Sequence, residues 1–95
     1  MDKKLMHAVI VAAGLAALMP VSAHAADPAF CRNYAQAAIN QVRGALANPG
    51  CAARIQGARW SSDLQVHYGW CLSQPYAAAG AERDTRTAFL RGCRS

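Results

Sequence analysis

The sequence predicts an all-α fold, namely a small three-helix up-down-up bundle braced by two disulfides. Three observations favour it. Apolar residues recur every three or four positions, four cysteines lie about 20 residues apart, and no segment alternates as a half-buried strand would. The 95 residues are enough for one small domain. Multidomain enzymes, TIM barrels and complete dinucleotide-binding folds are excluded, because they need roughly 150 to 250 residues.

Residues 1–25 are predicted to be a secretory signal peptide. A start with two lysines precedes an apolar run over 8–19 and a small-residue motif at 23–25. The run is well short of the roughly 20 residues that span a bilayer. Cleavage after Ala25, or after Ala23 as second choice, is therefore favoured over a membrane anchor. We expect a periplasmic or secreted protein without a stable membrane anchor, and a single disulfide-braced domain over 26–95.

The predicted domain is basic. It keeps eight arginines, four acidic residues and a single histidine, His67, and it has no lysine. An excess of positive charge favours anionic envelope polymers or acidic partners, although it also serves solubility alone. Since the arginines are scattered rather than clustered and export separates the protein from the genome, we predict no nucleic-acid partner.

Helix one is predicted to begin at Pro28 and to run for about 20 residues. Asp27 is a plausible N-cap, and proline is tolerated in a first helical turn. The apolar stripe of this helix ends at the helix-breaking segment 48–50, after which residues 51–59 are predicted to form a loop.

Two further helices are predicted on either side of Pro75. Ser62, with Gln65 three residues later, fits a capping box that starts helix two over about 62–73. Helix three is predicted over about 76–91 and is rich in alanine.

Glu82 and Arg86 have the i,i+4 spacing that supports helix three. The pair has two interpretations. It is a surface ion pair worth a fraction of a kcal/mol, or it points inward and ties helix three to the loop around Arg59.

The cysteines predict two disulfides in an exported domain of this size. Cys31 begins helix one and Cys71 lies near the end of helix two, so an up-down-up bundle places both at one end. Cys51 and Cys93 follow helices one and three and lie at the other end. Of the three connectivities that four cysteines allow, this geometry favours Cys31–Cys71 and Cys51–Cys93. Without CxxC or CxxCH motifs, no metal site, haem attachment or other cofactor is predicted.

The segment 57–71 carries most of the chemistry-bearing side chains. Asp63 lies one helical turn before His67, and this spacing would let it orient the imidazole as a general base or pH-sensitive contact. Alternatively, Asp63 is an acid favoured by the helix dipole and His67 is a packed core residue, which is the interpretation we prefer. Either Trp60 or Trp70 is expected to be buried against a disulfide, because the core is thin.

A non-catalytic binding surface is predicted from this segment. No cysteine remains as a nucleophile if all four are bridged, so a hydrolytic triad is disfavoured and no catalytic residues are assigned. The candidate ligand-binding residues are Arg59, Trp60, Asp63, His67 and Trp70.

The arrangement resembles a small four-cysteine helical domain of exported bacterial proteins. The resemblance covers nearly all of 26–95 and implies an envelope or secreted setting but no reaction. It rests on three sequence patterns, Cys31-x-x-Tyr34-Ala35, Arg59-Trp60-Ser61-x-Asp63-x-x-x-His67-x-x-Trp70-Cys71 and Glu82-x-x-x-Arg86-x-x-x-Leu90-x-x-Cys93.

Two functions are therefore considered. The first is a non-enzymatic binding or accessory protein of the bacterial envelope, which contacts an envelope polymer or a protein partner. The second is a secreted effector, such as an enzyme inhibitor or an antimicrobial protein. The absence of a strongly basic amphipathic helix disfavours membrane lysis.

Overall fold

The computed structural model describes residues 25–94 and confirms a helical fold. Within this range there is no strand, although Ala25 and Pro75 form an isolated bridge. Apart from Ala25, the predicted signal peptide lies outside the described residues. The elements are α1 (Pro28–Leu46), α2 (Pro49–Ala52), a 3₁₀ turn (Ala58–Trp60), α3 (Leu64–Leu72) and α4 (Tyr76–Cys93).

The described residues thus form four α-helices, not the three that the sequence predicted. The additional helix is α2, in the segment that was expected to be a loop. The Asn48 side chain accepts a hydrogen bond from the Gly50 N–H at 3.0 Å, and Pro49 occupies the first turn. The same residues that end α1 therefore also start a new helix, because an asparagine N-cap followed by proline favours initiation.

Helix α1 is the element on which the others assemble. Both α3 and α4 make their main contacts with α1 rather than with each other, and α2 contacts α1 and α4. None of the helices within 25–94 is both long enough and apolar enough to cross a membrane.

The N-cap of α1 is Asp27, as predicted, but that of α3 is shifted by one residue. The Asp63 carboxylate accepts a hydrogen bond from the Gln65 N–H at 2.9 Å, so Asp63 and not Ser62 caps α3. The reason is local. The Ser61 hydroxyl accepts from the Asp63 N–H at 3.0 Å, and aspartate is as good an N-cap as serine.

The two disulfides have the predicted pairing, Cys31–Cys71 and Cys51–Cys93. Each lies in a small apolar cluster of its own. Trp60 is the tryptophan buried in such a cluster, together with the second disulfide, whereas Trp70 is exposed. The first cluster contains Ala26, Cys31, Tyr34, Cys71 and Ala79, and the second contains Val42, Ala45, Cys51, Trp60, Leu90 and Cys93.

Removal of either disulfide should strongly destabilise the domain. The bridges join residues 40 and 42 positions apart, for which the chain-entropy estimate is about 4 kcal/mol. We expect the double variant Cys31→Ala/Cys71→Ala, and equally Cys51→Ala/Cys93→Ala, to lose most of its helical circular dichroism at 37 °C. A melting temperature close to that of the native protein would contradict this prediction.

The Asp27 cap should make stability depend on pH. The Phe30 N–H and the Tyr76 hydroxyl donate to its two carboxylate oxygens at 2.8 and 2.7 Å. These hydrogen bonds, the first more than the second, lower the pKa of Asp27 below its ordinary 3.8. Because the carboxylate is the favoured form in the folded state, its contribution is present above pH 3.8 and is lost as the pH falls through the lowered pKa.

Asp27→Asn is the variant that tests this dependence, because asparagine keeps a capping oxygen but carries no charge. Chemical unfolding at pH 7 should show Asp27→Asn to be less stable than the native protein. The difference between the two proteins should disappear towards pH 2. A difference that is the same at both pH values would be inconsistent with an ionised cap.

Candidate functional site

A cleft of about 470 Å³ lies where α1, the 3₁₀ turn, α3 and α4 meet. Its volume falls within the roughly 300–1,000 Å³ that is typical of small-molecule sites. The lining includes Tyr34, Arg59, Trp60, His67, Trp70 and Arg86. The cleft thus combines aromatic rings with charged and polar groups contributed by all four elements.

The floor of the cleft is built around the fully buried side chain of Arg86. Its Nε donates to Gln41 Oε1 at 2.7 Å, and its Nη2 donates to the Tyr34 hydroxyl at 2.9 Å. Its Nη1 lies 3.4 Å from the carbonyl oxygen of Arg59. A buried charge is tolerated only when it is paired and hydrogen-bonded, so these contacts tie α4 to α1 and to the 3₁₀ turn.

The partner charge comes from Glu82, which lies between two arginines. Its carboxylate accepts hydrogen bonds from Nε and Nη2 of Arg59, the second at 3.2 Å, and its Oε2 lies 3.6 Å from Arg86 Nη1. Of the two interpretations of Glu82 and Arg86, the structure therefore shows the inward pair that reaches Arg59. The hydrogen bond to Glu82 raises the pKa of Arg59 further, so this guanidinium stays charged.

His67 is buried beside this cluster. Its Nε2 lies 2.8 Å from the carbonyl oxygen of Ser61, and a carbonyl oxygen can only accept, so the proton resides on Nε2. Nδ1 has no hydrogen-bond partner within the described residues. Asp63 is occupied as the cap of α3, and the structure shows no hydrogen bond between Asp63 and His67. The arrangement agrees with the packed-histidine interpretation.

The rim of the cleft is apolar and accessible. Val66 and Trp70 lie one turn apart on α3 and are 40% and 38% exposed. The Trp70 ring packs at 5.7 Å, centroid to centroid, against the Tyr34 ring. An exposed indole ring supported in this way offers a flat contact surface at low conformational-entropy cost.

The structure brings four of the five candidate residues together. Arg59, Trp60, His67 and Trp70 all line the cleft, whereas Asp63 does not. Tyr34 also lines it, but the sequence did not single it out as a site residue. It lies on α1, far from the others in sequence, within an apolar stripe that looks like core. Its spacing in that stripe carries no signal that its hydroxyl meets a buried arginine.

The described residues provide no obvious metal site, since no group of three or more histidine, cysteine, aspartate or glutamate side chains converges among them. The cysteines are all bridged. The cleft presents several groups that can contact a ligand. It has an apolar wall, hydrogen-bond donors and a half-exposed guanidinium, Arg59.

Replacement of the buried arginine should cost far more stability than replacement of an exposed one. Arg86→Lys cannot reproduce the planar fork that contacts Gln41 and Tyr34 together, and we expect it to lower the free energy of unfolding by about 3 kcal/mol. Arg83 lies on the same helix with its side chain 45% exposed, and Arg83→Lys should stay within about 0.5 kcal/mol of the native protein. Denaturant unfolding would measure both. Equal effects would contradict the assignment of Arg86 as the central contact.

Comparisons with known proteins add no further information about the site. No protein-family model matches the chain, and neither the search of curated proteins nor that of solved structures gave a significant match. The resemblance to exported four-cysteine bacterial domains therefore stays a prediction from the sequence.

Proposed function

We propose that this protein is a small, non-enzymatic binding or accessory protein of the bacterial envelope, and that the cleft is its ligand site. The observation that carries the proposal is the pairing of an accessible apolar rim, Val66 and Trp70, with a buried floor around Arg86. A large aromatic side chain left exposed beside a concave site is typical of recognition surfaces. Trp60 is buried in an apolar cluster, whereas Trp70 lies at the rim with 38% of its surface exposed.

The available side chains support binding rather than catalysis. A nucleophilic mechanism needs an activated hydroxyl, thiol or amine next to a base. Within 25–94 every cysteine is in a disulfide, and the histidine that lines the cleft uses Nε2 for the Ser61 carbonyl. Asp63, which lies one helical turn before His67, caps the N-terminus of α3 instead of contacting the imidazole.

The two disulfides are typical of a protein from an oxidising, extracytoplasmic compartment. Such a compartment agrees with the signal peptide predicted at 1–25. It also agrees with the excess of arginine over acidic residues in 26–95. The proposal places the protein in the periplasm, or outside the cell. There the positive charge would favour contact with anionic envelope material.

Trp70 should report and support ligand binding. We expect its fluorescence to change when the oxidised protein is titrated with soluble envelope fragments, namely peptidoglycan fragments, lipopolysaccharide core oligosaccharides and acidic peptides. Trp70→Ala should weaken the binding of any active fragment at least about tenfold, since a central aromatic contact is worth about 2 kcal/mol. Binding to the variant would be followed by calorimetry, because the remaining Trp60 also lines the cleft and its fluorescence differs from that of Trp70.

Leu72→Ala is the matched control, because Leu72 is 36% exposed on the same helix but does not line the cleft. It should bind as the native protein does. If no fragment binds, or if both variants lose binding equally, the cleft is not the binding site. Thermal melting of each variant would show that it is folded.

A further inference from the structure

We propose that the cleft binds a carboxylate-bearing saccharide unit, with Arg59 as the residue that recognises its carboxylate and Glu82 as an internal carboxylate that competes with the ligand for Arg59. This inference rests on the proposed function, since it names the ligand class of the same cleft. Three properties of the lining carry it, namely its hydrogen-bonding groups, its charge and its exposed ring surface.

The lining holds the acceptors His67 Nδ1 and the Glu82 carboxylate, and beside them several unused donors. The indole N–H groups of Trp60 and Trp70 make no hydrogen bond within residues 25–94. The Tyr34 hydroxyl accepts from Arg86, which leaves its own proton to be donated. Arg59 uses Nε and Nη2 for Glu82, so the hydrogens of its Nη1 remain. A ligand rich in acceptor oxygens would satisfy these groups.

The charge of the lining favours one carboxylate on the sugar unit that enters the cleft. Arg59 and Arg86 face a single carboxylate, Glu82, and this leaves one positive charge in excess. Arg86 is buried and committed to Gln41 and Tyr34. Arg59 is the accessible cation, with 47% of its side chain exposed. A planar guanidinium binds a carboxylate through two parallel hydrogen bonds, and Glu82 already occupies Arg59 in this way.

The exposed ring surface favours a saccharide over a small inorganic or aliphatic acid. Trp70 and Val66 form an apolar wall beside the donors. A sugar ring has one face of C–H groups that packs on an indole and an edge of hydroxyl oxygens. A sugar acid combines an apolar face, many acceptor oxygens and one carboxylate. These groups complement the apolar wall, the donors and the excess positive charge of the lining.

Competition between the ligand carboxylate and Glu82 for Arg59 affects how substitutions should change the affinity. Because the ligand carboxylate competes with Glu82 for the Arg59 guanidinium, removal of the Glu82 charge should strengthen binding rather than weaken it. Glu82→Gln removes both the competition for Arg59 and the repulsion between two carboxylates. Arg59→Gln has the opposite effect, since it removes the cation that distinguishes an acid from a neutral sugar.

The experiment uses the oxidised protein and two probes of equal chain length, trigalacturonic acid and its methyl ester, with calorimetry as the readout. The acid should bind about tenfold more tightly than the ester, and Arg59→Gln should abolish that preference. Glu82→Gln should bind the acid about tenfold more tightly than the native protein. Arg83→Gln is the matched control on α4, because Arg83 does not line the cleft, and it should leave both affinities unchanged.

The monomer galacturonic acid, titrated in parallel, distinguishes a free sugar acid from a unit of a longer glycan. Equal affinity for acid and ester, or weaker acid binding by Glu82→Gln, would overturn the inference. In that case the proposed function still stands if a neutral fragment or a peptide binds and Trp70→Ala loses it. Thermal melting again establishes that each variant is folded, so that lost binding is not mistaken for lost structure.

Discussion

The buried guanidinium of Arg86 is the contact on which the arrangement of this small domain depends. It lies on α4, and its hydrogen bonds reach Gln41 and Tyr34 on α1 and the backbone of the 3₁₀ turn. A charge in that position would be strongly unfavourable if any of these partners moved away. The three elements are therefore held in one relative position by polar contacts with defined geometry. An apolar contact in the same place would tolerate sliding.

The two disulfides explain why a domain with few large apolar side chains remains stable with a polar centre. Each bridge lies in its own apolar cluster, Cys31–Cys71 with Tyr34 and Cys51–Cys93 with Trp60. The cross-links restrict the unfolded chain, so the folded state needs less apolar burial to be stable. Arg86 and Glu82 line the cleft together with Tyr34 from one cluster and Trp60 from the other.

The same contacts would preorganise the cleft for the proposed binding. Tyr34 and Arg86 are held by each other, so the floor needs little reordering when a ligand enters. Arg59 and Trp70 remain accessible at the edge. A rigid floor with an accessible cation and indole suits recognition of an acidic, acceptor-rich ligand.

The sequence by itself determined the helical fold, the cap at Asp27 and the disulfide pairing, and it singled out four residues of the cleft lining, Arg59, Trp60, His67 and Trp70. These follow from short-range rules. Apolar spacing predicts helices, proline and asparagine mark their ends, and helix direction decides which cysteines meet. The N-cap of α3 was predicted one residue too early, because Ser62 and Asp63 are almost equivalent as N-caps. The short helix α2 was also missed, because the Asn48-Pro49-Gly50 segment that ends α1 was interpreted only as a helix end.

Only the tertiary structure decided which side chains are buried and which charges meet. From the sequence, Glu82 and Arg86 fitted a surface pair as well as an inward one, and Tyr34 looked like a core residue. Each outcome depends on partners 23 to 52 residues away along the chain. Spacing within one helix carries no information about such distances. The packing of α4 and the 3₁₀ turn against α1 therefore decided that these residues share one cleft.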